Sequence, residues 1–369
     1  MTGASSGIGR GVALALAGKG VRVIAAARRI DALDSLASES GGRITALKLD
    51  VTDVGTRLAA HWRNRPLLLD CSHILDEHGR ERMPVWLGRM ISDARAKRAM
   101  LIPSARLSDP SEAELHAFKS FVDSSVGAAF ALLLASGDLA DIAVVPRIRH
   151  CLDRLGTTAG ECVLVIDFSD ADLSLPEFAE PVIRYGVELV QELGSWRKIV
   201  FQGTGFPEKN PAEDGGCQTV RRSEWAAWKH VVATDPTMLA HLTFGDYAAD
   251  CAKMTTGKGG VAIRHLRYTC DEDWLVQRGR KLGRSDKTIM SAVCQAIVGS
   301  GHFSGASFSA ADAQIWALAN GVGGAGTATT WRQLNTTHHI TTVVSNLVEM
   351  RGGVIKSGPA PAAQLQLAV

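Results

Sequence analysis

Cys162-Val163-Leu164-Val165-Ile166-Asp167-Phe168-Ser169-Asp170-Ala171-Asp172 is an apolar run that breaks off abruptly in acid. Five consecutive apolar residues closed by a carboxylate have the composition of a strand buried on both faces, the kind from which parallel sheets are made. Similar runs begin near Ile44, Pro66, Ala99, Ala128, Arg197, Leu242 and Ala262, and most of the intervals have room for one helix. Strands alternating with helices pair in parallel, so eight of them predict an α/β fold of the (β/α)8 TIM-barrel type, with an open doubly wound sheet as the alternative. Two features strain the count of eight. The last two runs start only about 20 residues apart, and Val21 to Ala27 supplies a ninth candidate.

Several intervals carry helix signals. Asp109-Pro110-Ser111-Glu112 reads as an N-cap, a proline in the first turn and an acid at the third position. Phe178, Val182, Tyr185, Leu189 and Leu193 recur at helical spacing until Gly194. Beyond Tyr268 the rhythm changes, and helices are expected over Asp271 to Leu282, Thr288 to Val298 and Ser309 to Asn320. The domain reading is an amino-terminal Rossmann-like fragment over 1–43, a barrel over 44–270, a helical extension over 271–360 and a frayed tail over 361–369.

Composition removes some functions. With 40 Lys plus Arg against 38 Asp plus Glu, the formal charge of +2 gives no electrostatic case for nucleic acid or an anionic membrane. No apolar run approaches the roughly 20 residues that span a bilayer. The seven cysteines stand singly, without a C-x-x-C pair, which fits a reducing cytoplasm better than a disulfide framework or a structural zinc.

Thr2-Gly3-Ala4-Ser5-Ser6-Gly7-Ile8-Gly9 resembles the glycine-rich turn of short-chain dehydrogenases, Val21 to Ala27 their second strand and Leu49-Asp50-Val51-Thr52 the end of their third. The resemblance implies NADP as cofactor, with Gly3, Gly7 and Gly9 at the pyrophosphate, Arg28 (with Arg29) at the extra phosphate and Asp50 at the adenine. It covers about 54 residues. The first strand is missing before the turn, and the family's Tyr-x-x-x-Lys is absent: Tyr185, Tyr247 and Tyr268 have Leu189, Cys251 and Glu272 four residues on. The segment reads as a truncated or fused fragment.

Pro66-Leu67-Leu68-Leu69-Asp70, Val165-Ile166-Asp167, Phe308-Ser309 with Asp312, Trp331-Arg332 and His338-His339 together resemble the beta-protein family of bacterial genomes and phages over about residues 55–348. The resemblance implies no settled reaction; it points to a phage- or defence-associated binding module.

In a barrel the site gathers at the carboxyl ends of the strands, so the polar residues closing the apolar runs are the candidates: Asp50, Asp70, Asp167, Gln202 and Asp246, with His265 and Arg267 in the last strand. Val163, Val165 and Asp167 share one strand face, as do His265 and Arg267, and both sets are expected to look inward at the barrel mouth. Each has a structural alternative. An aspartate after a parallel strand also caps turns and helices. His265 with Arg267 reads equally as an ion-pair network, His338-His339 as packing or capping, and Ser309 with Asp312 as an N-terminal capping pair. Three functions follow: an anion or metal site at the mouth, extending to metal-assisted phosphoester hydrolysis; a module binding a protein partner; and an NADP-dependent oxidoreductase. No metal-ligand set stands out.

Overall fold

A computed structural model of the chain describes residues 7–20, 23–27, 30–48, 64–70, 80–108, 110–253, 263–280 and 285–353. Gly3, Arg28, Asp50 and Asp109 lie outside them. The chain forms two compact units, Met1–Leu133 with Pro146–Val163, and Leu134–Val145 with Leu164–Val369.

The first unit opens with α1 (Gly7–Gly18), β1 (Val23–Ala27), α2 (Ile30–Glu39) and β2 (Ile44–Lys48). β1 and β2 pair in parallel, Val23 opposite Ile44 and Ala27 opposite Lys48, with α2 as the crossover. Ala13, Ala17, Val23, Ala25, Leu33, Leu36 and Ile44 form a small core of their own, and Arg10 ties α1 to Glu39 of α2. The run at Ile44, expected as the first stave of a barrel, is instead the partner of β1.

β3 (Pro66–Asp70), α3 (Met83–Ala96), β4 (Met100–Arg106), α4 (Glu112–Lys119), β5 (Ala131–Ala135) and α5 (Val144–Leu155) continue the alternation. α3 buries Met83, Trp86, Leu87, Met90, Ile91 and Ala94, a stripe at helical spacing. The cap of α4 is Ser111, whose side chain accepts from the Glu114 amide while the Glu114 carboxylate accepts from the Ser111 amide. The expected N-cap thus shifts from Asp109 to Ser111, because only there do hydroxyl and acid stand three residues apart.

Next come β6 (Val163–Asp167), α6 (Pro176–Gln191), β7 (Lys198–Gly203), β8 (Cys217–Arg221), α7 (Ser223–Thr234), α8 (Met238–His241), β9 (Leu242–Asp246), β10 (His265–Thr269), β11 (Asp273–Arg278), α9 (Asp286–Val298), α10 (Ala310–Ala319) and α11 (Ala328–Met350). Six strands form one sheet in the order β3-β4-β5-β6-β7-β9, in which β3 with β4, β4 with β5 and β7 with β9 pair in parallel. All five residues of β6 are buried, as its unbroken apolar run requires. Phe244 of β9 packs edge-on against Trp225 and Trp228 of α7 at 4.9 and 5.5 Å.

A closed eight-stranded ring is not what the described residues form. β10, expected as the eighth stave, belongs to a separate antiparallel sheet ordered β10-β11-β8. The expected helix over Asp271 to Leu282 is β11. Trp274 and Val276 pack with Phe206, Ala212 and Ala249 on one face, while Leu275 joins Leu266, Tyr268 and the residues of α9 to α11 on the other. A period of two with a core on each side overrides the local helical reading. The helices expected at Thr288 and Ser309 form, and the segments around Trp331 and His338 are one continuous helix. On α6 the spacing identified a helix, but its buried face is Ala179, Ile183, Gly186, Val187 and Val190; Phe178, Val182 and Tyr185 are exposed. Among the described residues no helix is long and apolar enough to cross a membrane.

Candidate functional site

Within the second unit a cavity of about 560 Å³ opens between the loop after β9 (Tyr247 to Asp250), the start of β10 (His265, Arg267) and the first turns of α11 (Arg332, Asn335, Thr336). Its size is that of a small-molecule site.

Arg267 is the most constrained group in it. Its Nη1 donates to Asp250 Oδ1 at 2.6 Å and to the Ala249 carbonyl at 2.7 Å. Its Nε donates to His265 Nε2 at 3.3 Å, and the guanidinium lies 4.3 Å from the centroid of the Phe206 ring. Among the described residues Nη2 makes no hydrogen bond, so a cation fixed on three sides presents one open nitrogen. The tautomer of His265 follows. Its Nδ1 faces the Ile263 carbonyl at 2.9 Å, which can only accept, so Nδ1 carries the proton and Nε2 accepts from Arg267. Burial pushes this imidazole below its ordinary pKa, and the Arg267 charge adds to that. His265 therefore orients Arg267 as a neutral ring.

Asn335 is fixed in the same way. Its Oδ1 accepts from the Arg267 amide at 3.0 Å, leaving its NH2 to offer. Arg332, exposed at the rim, reaches Asp250 Oδ2 at 3.5 Å. The loop wall is pinned at each end: Asp246 Oδ1 accepts from the Ala248 amide at 2.8 Å, the Tyr247 hydroxyl donates to Asp167, and the Thr204 hydroxyl donates to the Asp250 carbonyl at 2.9 Å. Ala248 sits at φ 55, a left-handed conformation that costs a residue with a Cβ and is found where surroundings over-determine the backbone.

Behind the cavity runs a buried polar network. His339 Nε2 lies 2.8 Å from Asp246 Oδ2, and its Nδ1 lies 2.9 Å from Thr269 Oγ1. The neighbouring His338 faces Asp312 Oδ2 at 3.0 Å and the Thr269 carbonyl at 2.8 Å, and stacks on Tyr268 at 3.7 Å. The Thr342 hydroxyl also lies 3.4 Å from His338 Nε2. Burial pushes the Asp312 carboxyl up, but hydrogen bonds from His338, Ser309 and Tyr268 outweigh it and the net direction is down. Aspartate, histidine and threonine at hydrogen-bonding distance resemble a nucleophile triad, yet Thr269 and His339 are each 1% exposed, as befits a structural network.

Of the residues singled out from sequence, His265 and Arg267 line the cavity. Asp167 and Asp246 stand behind it as anchors of the Tyr247 and Ala248 wall. Gln202 contributes its backbone carbonyl to Phe168 at 2.7 Å and is not a lining residue. Asp70 belongs to the first unit, where Arg106 lies 3.5 Å away. Gly7 and Gly9 open α1. Ser309 caps α10, and Asp312 does more, collecting three donors. Sequence reading missed Asp250 and Asn335, and noted Arg332 only in the motif it forms with Trp331. Arg332, Asn335, Thr336 and His339 follow i, i+3, i+4 and i+7, a helical face legible once the segment is taken as a single helix.

Among the described residues no group of three or more His, Cys, Asp or Glu side chains is placed to hold a metal ion. A family model described as Beta protein matches residues 28–345. The chain belongs to the Beta protein family. The match begins at Arg28, ahead of the onset near residue 55 that the motifs suggested. Shorter segments of this family member are similar to curated proteins. One of 56 residues is 55% identical to glycine betaine reductase ATRR of Emericella nidulans, covering 14% of this chain and 4% of that protein. Another of 61 residues is 49% identical to an uncharacterised oxidoreductase of Myxococcus xanthus, covering 16% and 24%. A third of 53 residues is 53% identical to an uncharacterised oxidoreductase of Mycobacterium tuberculosis, covering 14% and 20%. The chain thus spans at most about a quarter of these relatives' length.

Proposed function

We propose that this Beta protein family member binds a small anionic ligand, a carboxylate or phosphate, in the cavity beside Arg267. The observation that carries the reading is the three-sided fixation of Arg267, which leaves Nη2 open. A guanidinium already held by Asp250, His265 and Phe206 loses little freedom on binding, and so uses its charge efficiently. Asn335 supplies a second fixed donor, and Arg332 an exposed cation at the rim. The reading stops at binding, and the metal-assisted hydrolase gains no support from the described residues. The six described cysteines are free thiols, which fits a cytoplasmic setting.

Calorimetric titration of the full chain with sulfate, inorganic phosphate and citrate tests this. Binding of at least one anion, lost in Arg267→Ala with the fold intact by circular dichroism, is expected. Absence of binding by all three, or binding unchanged in the variant, sinks the reading.

A second reading is an NADP-linked oxidoreductase. It draws on the names of the short relatives and on the β1-α2-β2 crossover behind the Gly7 and Gly9 helix start. The Tyr-x-x-x-Lys pair is missing from the sequence. NADPH fluorescence titration decides it: no binding up to millimolar cofactor removes this reading. A role in binding a protein partner draws on the exposed face of α6, with Phe178, Val182 and Tyr185 in one row and Leu175 just ahead of it.

A further inference from the structure

Arg222 and Glu224, at the start of α7, are both wholly buried. Arg222 Nη1 donates to the carbonyls of Cys270 and Asp271 at 3.2 and 2.9 Å. Its Nε lies 3.8 Å from Glu224 Oε1, beyond hydrogen-bonding reach, and among the described residues Arg222 Nε, Arg222 Nη2 and Glu224 Oε1 make no hydrogen bond. The guanidinium rests 5.2 Å from the Trp225 ring centroid. A buried carboxylate with one oxygen unsatisfied is costly, and such groups call for an explanation.

The other oxygen of Glu224 is held by the loop that supports the cavity wall. Oε2 accepts from the Gly205 amide at 2.9 Å. Gly205 is flanked by Thr204, whose hydroxyl donates to the Asp250 carbonyl at 2.9 Å and accepts from the Phe206 amide at 3.0 Å. Phe206 is the ring beneath Arg267. The loop passes so close to α7 that a Cβ at Gly205 would stand 2.2 Å from Ser223 Oγ, so the backbone meets the carboxylate directly. One hydrogen bond accepted by Glu224 therefore bears on two of the three groups that fix the open arginine, Asp250 and Phe206.

We propose that Glu224 is a positioning residue that regulates the anion cavity: as a carboxylate it draws in the Thr204–Phe206 loop, and on taking a proton it loosens that loop and weakens binding. This deepens the anion-cavity reading and rests on it. The physical basis is that an amide donates more strongly to a carboxylate than to a neutral acid. The groups facing Glu224 are Arg222 on its own helix and Asp246 at the end of β9, itself held by His339; Asp271 and Cys270 reach it through Arg222. Burial raises the Glu224 carboxyl and Arg222 opposes it, with the balance at about 7, so both forms are populated near neutrality.

The test uses the full chain, comparing wild type with Glu224→Gln. The Gly205 amide resonance is followed from pH 5.5 to 8.5, and sulfate, whose charge is constant over that range, is titrated at both ends. The expected result is a Gly205 transition near pH 7 in wild type only, with sulfate binding about fivefold weaker at the acidic end in wild type and pH-independent in the variant. No Gly205 transition in wild type, or the same transition in Glu224→Gln, overturns the regulation even if sulfate binds. A wild-type transition with sulfate bound at neither pH overturns the cavity reading, and the regulation of binding with it.

Discussion

His339 Nε2 and Asp246 Oδ2, 2.8 Å apart, join a helix to the carboxyl end of a strand with both groups almost entirely out of water. The same ring reaches Thr269 through its other nitrogen, so one side chain links β9, β10 and α11. Replacing His339 with alanine leaves the Asp246 carboxylate short of its buried donor, which is expected to cost about 3 kcal/mol. Urea unfolding measures it. A change below about 0.5 kcal/mol would mean that the link is ornamental.

Two buried acids are expected to respond to pH with opposite sign. Asp312 is shifted down from 3.8, so its ionised form adds stability above the unfolded value, lost as pH falls through the folded one. The stability difference between wild type and Asp312→Asn should therefore shrink between about pH 5 and pH 2. Glu224 is shifted up from 4.5 to about 7, so its contribution is full below the unfolded value and is lost as pH rises through about 7. The difference between wild type and Glu224→Gln should fall from pH 4 to pH 8, by up to roughly 3 kcal/mol. Denaturant midpoints across the range check both slopes.

Arg267→Lys keeps the charge but loses the planar fork that meets Asp250, His265 and Phe206 together. Anion affinity is expected to fall about tenfold or more. Arg332→Gln, at an exposed rim pair, should change it less than about threefold. Equal losses in calorimetry would contradict the assignment of the fixed donor to Arg267.

Gly186 lies in the buried face of α6, where an added Cβ would stand 2.8 Å from Leu139 Cδ1. Gly186→Ala gains helix propensity yet must displace that leucine, so a net loss of about 1 to 2 kcal/mol is expected. A thermal melt that moves upward would show that Leu139 yields freely.

The sequence made the parallel strands legible because residues such as Val163 to Ile166 are buried on both faces and leave no alternative to an unbroken apolar run. It concealed the antiparallel sheet for a related reason. Trp274, Leu275 and Val276 are also consecutive and apolar, but they serve two different cores, and nothing local says so. The count of eight strands failed at its ends, where β2 and β10 find partners outside the main sheet. His265 and Arg267 were recognisable as a pair too polar to bury unaided. Asp250 was not, since it closes no strand and matters only because two arginines converge on it from distant segments.

Adjacent histidines on one helix leave it in directions about 100° apart, and here both are engaged, His338 with Asp312 and His339 with Asp246. A shaft keyed on two flanks does not spin. The helix then stands as a fixed jamb to an incoming guest, with the exposed Arg332 at its rim placed as the latch.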